Sequence, residues 1–403
     1  MTTTTPSRGA RRDALPRSAL LALGTAVFIT SLTETLPAGV LPEISSTTGV
    51  SPGAAGQAVT VYAAGTALTA VPLAAATASV PRKPLLLGAM TVFLVANTLT
   101  FAAPGYAVLL AARFLAGIAA GLAWAILAGY ARGIAPPGLE GRAIAVTMTG
   151  IPVALSLGVP AGTLVGQRVG WQAAFAGVSL VTLAVIAWIV RSVPALDRPD
   201  PANAARATVR RTLKVPGVAA VMTVVVTFVL GHTVVHAYVA PYLRQAGLGR
   251  STDAVLLAFG VACLASIWYV GRRVDQYLRA SALTGAALFT LATAALAATT
   301  AHPVVWAAAV AWGLGWGGIP TLLQTAAGRA GAPHGPAVAD TAQAVLVTLW
   351  NVAMMLGGIL GGVLLEDVGA KAVAAVAALL GVVSTAVVAL ARHHAFPSHR
   401  TTP

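Results

Sequence analysis

The sequence predicts an all-α integral membrane protein whose twelve spanning helices form two six-helix repeats. Three observations carry that expectation. Of 403 residues, 57% are hydrophobic and only 9% charged, with a mean hydropathy of +0.83, so a water-soluble fold would have too little polar surface to cover itself. Apolar stretches long enough to cross about 30 Å of hydrocarbon recur along the chain, and in lipid they must be helices because every backbone N–H and C=O needs an internal partner. The chain also resembles itself at an offset of 199 residues.

The first expected span, 18–41, is an apolar run interrupted by Glu34 and closed by Pro42. The next two, 54–79 and 85–103, are separated by the basic turn VPRK, and 106–131 follows Pro104 and Gly105. Spans 142–166 and 172–192 complete the first half. The connection 193–215 is longer than the others, proline-rich and basic, and reads as a linker. In it Arg206, Arg210 and Lys214 fall at helical spacing, which suits either a short helix on an anionic inner leaflet or a disordered basic linker. Spans 216–241, 252–271, 280–300, 303–327, 338–365 and 370–391 make the second half. The expected organisation is a tail 1–17, a six-helix half 18–192, the linker 193–215, a second half 216–391 and a tail 392–403.

A net charge of +14 invites a nucleic-acid partner, but the placement of the charges argues against one. With the N-terminus cytoplasmic, 20 of the 25 Lys and Arg fall on inward segments, four on outward ones, and Arg113 lies within a span. That is the positive-inside pattern, and it predicts a multi-pass protein with both termini cytoplasmic. Arg11 and Arg12 resemble an export signal, yet no small-residue cleavage site follows and the first apolar run is too long, so it is expected to stay as a helix. The excess of arginine over lysine, 22 to 3, hints at a GC-rich bacterial source and hence at the inner membrane. Cys263 is the single cysteine, which excludes an intramolecular disulfide.

The internal repeat is explicit. Shifting LGVPAGTLVGQRVGWQAA (157–174) by 199 residues lays it over LGGILGGVLLEDVGAKAV (356–373), matching Gly158 with Gly357 and Gly162 with Gly361. The same shift places Pro42 on Pro241. Parallel six-helix repeats are one way to build a transporter with its site between the halves. Deep polar residues occur in spans 1 (Glu34), 4 (Arg113), 7 (His232, His236) and 10 (Gln324), whereas spans 6, 9 and 12 are almost purely apolar. The first helix of each triplet should therefore line a central cavity and the last should face lipid; Asn97 in span 3 has no place in that scheme.

Several motifs resemble the major facilitator superfamily. RFLAGIAAG from Arg113 to Gly121 is similar to its arginine-and-glycine motif, and GVPAGTLVG from Gly158 to Gly166, with Pro160 and Gly162, to the motif of its antiporter branch. TETLPAGVLPEIS (33–45) and VPRKPLLL (80–87) resemble bacterial arabinose-efflux and chloramphenicol-resistance permeases. The usual glycine, aspartate and basic residues of the loop between helices 2 and 3 are reduced here to Pro81, Arg82 and Lys83. A fuller copy, GRRVDQYLR from Gly271 through Asp275 to Arg279, stands between helices 8 and 9, which moves the expected gating ion pair to that second loop. The resemblance implies proton-coupled efflux by alternating access, by a monomer without cofactor or metal.

Glu34 lies about eight residues from the nearer end of its span, roughly 12 Å at 1.5 Å per residue. A charged carboxylate near the bilayer centre costs about 2.5–3.5 kcal/mol on insertion scales, so it needs a proton, a cation or water. It is the expected proton carrier; a purely structural hydrogen bond is the other reading, with His232, His236 or Asp340 as fallback proton sites. Arg113 is expected to take part in proton coupling, holding water or a backbone carbonyl and lowering the pKa of a nearby carboxylate; the other reading is that it snorkels to the cytoplasmic surface. His232 and His236, four apart, share a helix face and suit substrate contact, proton relay or interhelical hydrogen bonding; a metal would want a third ligand. Gln324, Tyr62, Trp124 and Trp316 are expected on the cavity wall, with Trp312 and Trp350 as further aromatics. Gly158, Gly162, Gly166, Gly357 and Gly361 permit close helix packing, and between rocking halves a sliding surface.

The expected activity is export of a small amphipathic molecule, a drug, sugar or metabolite, in exchange for protons. Proton-coupled nutrient uptake and a non-transporting sensor stay open. A polytopic enzyme has no nucleotide loop, acidic pair or metal cluster to support it.

Overall fold

The computed structural model describes residues 15–50, 52–196 and 208–397, so most of the two tails and residues 197–207 of the linker, with Arg206, lie outside the described residues. Every regular element described is helical. The first half contains α1 (Arg17–Gly39), α2 (Leu41–Thr48), α3 (Pro52–Ala76), α4 (Arg82–Phe101), α5 (Tyr106–Gly133), α6 (Glu140–Met148), α7 (Gly150–Val153), α8 (Val159–Val169) and α9 (Trp171–Ser192). A short α10 (Val209–Leu213) carries Arg210 and is followed by Lys214, both exposed. The second half contains α11 (Val218–Ala237), α12 (Val239–Gln245), α13 (Thr252–Ala298), α14 (His302–Gly317), α15 (Ile319–Gly331), α16 (Pro336–Asp367) and α17 (Ala370–Leu390).

Among the described residues nine helices are long and apolar enough to cross a membrane, and the predicted spans missing from that set are broken ones. Span 142–166 is split into α6, α7, a π-turn at Ala154–Gly158, and α8. Prolines explain the breaks. Pro152 crowds the carbonyl of Met148, where α6 ends, and Pro160 crowds that of Ser156, inside the π-turn. Pro320 does the same to Trp316, next to the end of α14, so span 303–327 becomes α14 and α15 with Gly318 between. Spans 252–271 and 280–300 run together as α13, two helices meeting at a kink at Tyr277 (φ −125°, ψ 36°). Span 18–41 ends at Gly39, with α2 continuing after Val40.

Two hydrophobic cores result. One gathers residues from Ala19 to Val193 together with Ala344, and the other residues from Val218 to Phe396. The first, fourth and seventh expected spans are the most enclosed: 72, 67 and 61% of the apolar window is buried in α1, α5 and α11, against 28–39% in the other six spanning helices. Leu180 and Leu183 on α9 and Leu379 and Leu390 on α17 are exposed. These are the surfaces that lipid covers.

The glycine stripes pack within halves. A Cβ on Gly158 would lie 3.0 Å from the Phe28 ring, and one on Gly162 2.6 Å from Leu36 Cδ1; Gly166 abuts Val40. All three contacts are to α1 or the residue after it. On α16, a Cβ at Gly357 would meet Thr233 Cβ at 2.7 Å and one at Gly361 the Tyr238 ring at 2.6 Å. The expected sliding surface between halves is therefore corrected: α1 and α11 run along these stripes and occupy them. Backbone meets backbone at Gly150, where any Cβ would strike the Gly24 carbonyl oxygen and come within 2.6 Å of the Phe28 nitrogen.

Candidate functional site

Between the halves lies a cavity of about 260 Å³. The first half contributes Ser31, Glu34 and Thr35 from α1 and Trp124 from α5; the second contributes His232 and His236 from α11, Trp316, Gln324 from α15, and Trp350 and Asn351 from α16. Glu34 is the one carboxylate among these wall residues.

Behind Glu34 sits Arg113, fully buried and within electrostatic range of it. Its Nε donates to the Ala58 carbonyl at 3.2 Å, while Nη1 and Nη2 have no hydrogen-bond partner among the described residues. The guanidinium lies over the Tyr62 ring, 4.7 Å from its centroid, and 5.7 Å from that of Phe175. Protein encloses its side chain on every side, which a snorkelling arginine would not allow. Tyr62 is also corrected: it is 1% exposed and its hydroxyl donates to the Thr30 carbonyl at 3.2 Å, so it supports Arg113 from below instead of lining the cavity.

The opposite wall is aromatic. The His232 and His236 rings stack at 5.1 Å, and Trp316 lies parallel to His232 at 3.3 Å, with Trp350 5.6 Å beyond it. Trp312 Nε1–H donates to His232 Nδ1 at 3.0 Å, which makes that nitrogen an acceptor and places any ring proton on Nε2. Gln324 is 7% exposed and its Oε1 has no partner among the described residues, although its backbone carbonyl accepts from Gln343 Nε2 at 2.8 Å.

At one end the halves are joined by ionic contacts. Arg82, at the start of α4, forms a salt bridge with Asp340 on α16. Asp275 on α13 accepts from the Gly141 and Arg142 backbone N–H groups, at 2.6 and 2.8 Å, and pairs with Arg329 at 2.9 Å. A carboxylate at the first turn of α6 is where free N–H groups and the helix dipole favour it. The first loop thus carries an interhalf ion pair after all, because Asp340 on α16 supplies the acid that the loop itself lacks. Gly271 also touches the other half, a Cβ there lying 3.2 Å from Ala145 Cβ. Lys83 and Arg279 stay within their own halves, donating to the carbonyls of Val190 at 2.9 Å and Ala389 at 2.8 Å.

Residues 23–339 match the family profile described as Major Facilitator Superfamily. The chain belongs to that superfamily. A chloramphenicol efflux pump of Mycobacterium tuberculosis is 32% identical over 377 residues, covering 90% of this chain and 89% of that one. An uncharacterized MFS-type transporter of Bacillus subtilis is 28% identical over 364 residues, 87% of this chain and 90% of its own. In fold, the human organic anion transporter MFSD10 (TETRAN) matches with a TM-score of 0.72 at 16% identity, over 95% of this chain and 100% of that one. The Escherichia coli fucose:proton symporter FucP matches with a TM-score of 0.73 at 12% identity, over 94% and 99%. This major facilitator protein is an integral membrane transport protein.

Of the residues singled out in the sequence, Glu34, His232, His236, Gln324, Trp124 and Trp316 converge on the cavity of this major facilitator protein, and Arg82 and Asp275 on the interhalf contacts. Sequence reasoning missed the Trp312 to His232 hydrogen bond, the Arg82 to Asp340 pair and Asn351. The first two join residues 80 and 258 positions apart, which no local pattern encodes. Asn351 had a signal, a strongly polar residue amid an apolar span.

Proposed function

We propose that this protein exports a small amphipathic molecule in exchange for protons by alternating access, with Glu34 as the group that takes up and releases the proton. The observation that carries the reading is the position of Glu34: the carboxylate on the wall of a cavity between two halves, backed by a buried arginine with two unpartnered nitrogens. A carboxylate so placed meets substrate, water and the Arg113 charge in one space, so its charge state can depend on which side the cavity faces. One proton moving through about 100 mV supplies about 2.3 kcal/mol, enough for a nearly fiftyfold gradient of a neutral substrate.

The aromatic wall suits a molecule with a planar apolar part, and Gln324 and Asn351 offer hydrogen bonds to its polar part. The mycobacterial relative makes chloramphenicol the first compound to try. With both termini cytoplasmic in a bacterial inner membrane, as the arginine distribution suggests, the end joined by Arg82, Asp340 and Asp275 is the cytoplasmic one and this conformation faces outward. The test is a susceptibility panel with and without expression in an efflux-deficient host, followed by chloramphenicol transport into vesicles under an imposed pH gradient. Gradient-driven movement supports the reading; movement indifferent to the gradient overturns proton coupling.

A further inference from the structure

The 199-residue register that relates the halves places Trp312 on Arg113, and Thr233, the residue after His232, on Glu34. Each half thus sets a large side chain behind a polar residue of the cavity wall, Arg113 behind Glu34 and Trp312 behind His232. The two supports differ in chemistry. A guanidinium brings a charge, whereas an indole N–H is a neutral donor and nothing else. Trp312 Nε1–H points at His232 Nδ1 from 3.0 Å, so a hydrogen on that nitrogen would set two N–H groups against each other. While the bond lasts, the ring donates through Nε2. Its face is stacked on Trp316 at 3.3 Å, and Nε2 has no hydrogen-bond partner among the described residues and is not enclosed by protein. His232 lines the cavity, so this free N–H edge opens into it.

We infer that His232 is the specificity-determining donor of the cavity, that Trp312 is the positioning residue that fixes it in that role, and that the substrate carries an acceptor oxygen, of a nitro, sulfonyl or carbonyl group, on its planar part. The inference rests on the cavity being the substrate site and not on proton coupling. Other polar groups of the wall are committed or turned the opposite way. Asn351 Nδ2 donates to the Val347 carbonyl at 2.9 Å and the Thr35 hydroxyl to that of Ser31 at 2.8 Å, while Gln324 Oε1 and the Glu34 carboxylate are acceptors. The donor also stands among rings: Phe259 lies 6.3 Å and Trp312 5.5 Å from the imidazole, centroid to centroid, besides Trp316. A planar apolar group packs there, so the acceptor that answers Nε2–H belongs to that group. An N–H at the same place would meet donor with donor and leave both unpaired.

Titration calorimetry of the full chain in nanodiscs tests this with chloramphenicol and two analogues that differ only in replacing the aryl nitro group by a methyl sulfone or by an amine. The two acceptor compounds should bind about tenfold more tightly than the amine, the worth of one net hydrogen bond. Trp312→Phe frees the ring to present either form of Nε2, and His232→Phe keeps a ring but removes the donor. In each the ratio should fall to about one. A ratio retained in either folded variant overturns the assignment of the residue replaced, and an equal loss for all three compounds in Trp312→Phe makes that side chain a packing residue. Binding of all three to the wild type without preference overturns the inference and leaves the export reading standing. Binding of none overturns both for this class of compound, whereas the expected ratio with movement indifferent to a pH gradient supports the inference and overturns proton coupling alone.

Discussion

Asp340→Asn should open the joined end of the molecule. The salt bridge to Arg82 is largely buried, with 9 and 18% of the two side chains exposed, and it spans the halves. Removing one member of a buried pair costs about 3–5 kcal/mol because the other charge is left without compensation. The residual exposure of Asp340 places this case at the lower end, about 3 kcal/mol, or roughly 150-fold in a population ratio. That loss falls on the closed arrangement alone, since the pair exists only while the two halves touch there. The assay is the distance distribution between spin labels at Pro137 and His334, in a background where Cys263 is replaced by serine. Asp340→Asn should move the population to longer distances. Adding Arg82→Gln should return part of it, because the double variant no longer leaves the Arg82 charge without its acid. An unchanged distribution in Asp340→Asn, or a double variant as severe as the sum of the singles, would refute the lock.

Three further outcomes follow from packing, hydrogen bonding and charge placement. Gly150→Ala should lower thermal stability more than Gly162→Ala, since its Cβ strikes backbone while the other meets the tip of the Leu36 side chain; overpacking of this kind costs about 1–3 kcal/mol, and the reverse order of melting temperatures would contradict it. Trp312→Phe removes the donor to His232 Nδ1, so imidazole nitrogen shifts of His232 should change from a single tautomer to a mixture; an unchanged spectrum would mean that another group holds the ring. Tags at either terminus, or within 198–210, should be protected from external protease, and external cleavage at a terminus would reverse the assigned orientation.

The architecture was largely legible because bilayer thickness and backbone hydrogen bonding leave few solutions, so apolar run lengths find the spans and polar residues find the central helices. Helix continuity was less legible. Runs such as 142–166 satisfy the length rule, and only Pro152, Pro160 and their i−4 carbonyls reveal that the backbone breaks there. Glu34 and the histidine pair were visible as polar residues in apolar company. Tyr62 was misplaced because an aromatic with a hydroxyl reads the same on a cavity wall as beneath a buried guanidinium. Which face of a glycine stripe meets which helix depends on rotation about the axis, and the spacing of Gly158, Gly162 and Gly166 gives the stripe without its partner.

Proton coupling through Glu34 is tested most directly by proton flux on addition of chloramphenicol to vesicles reconstituted with wild type or Glu34→Gln. Glutamine keeps the size and hydrogen-bonding capacity of the side chain but fixes it in the neutral state, so insertion and binding should persist while substrate-induced proton movement and gradient-driven accumulation disappear. Glu34→Asp should retain part of the flux with a displaced pH optimum. Undiminished flux in Glu34→Gln would contradict the account and make the buried glutamate a structural residue.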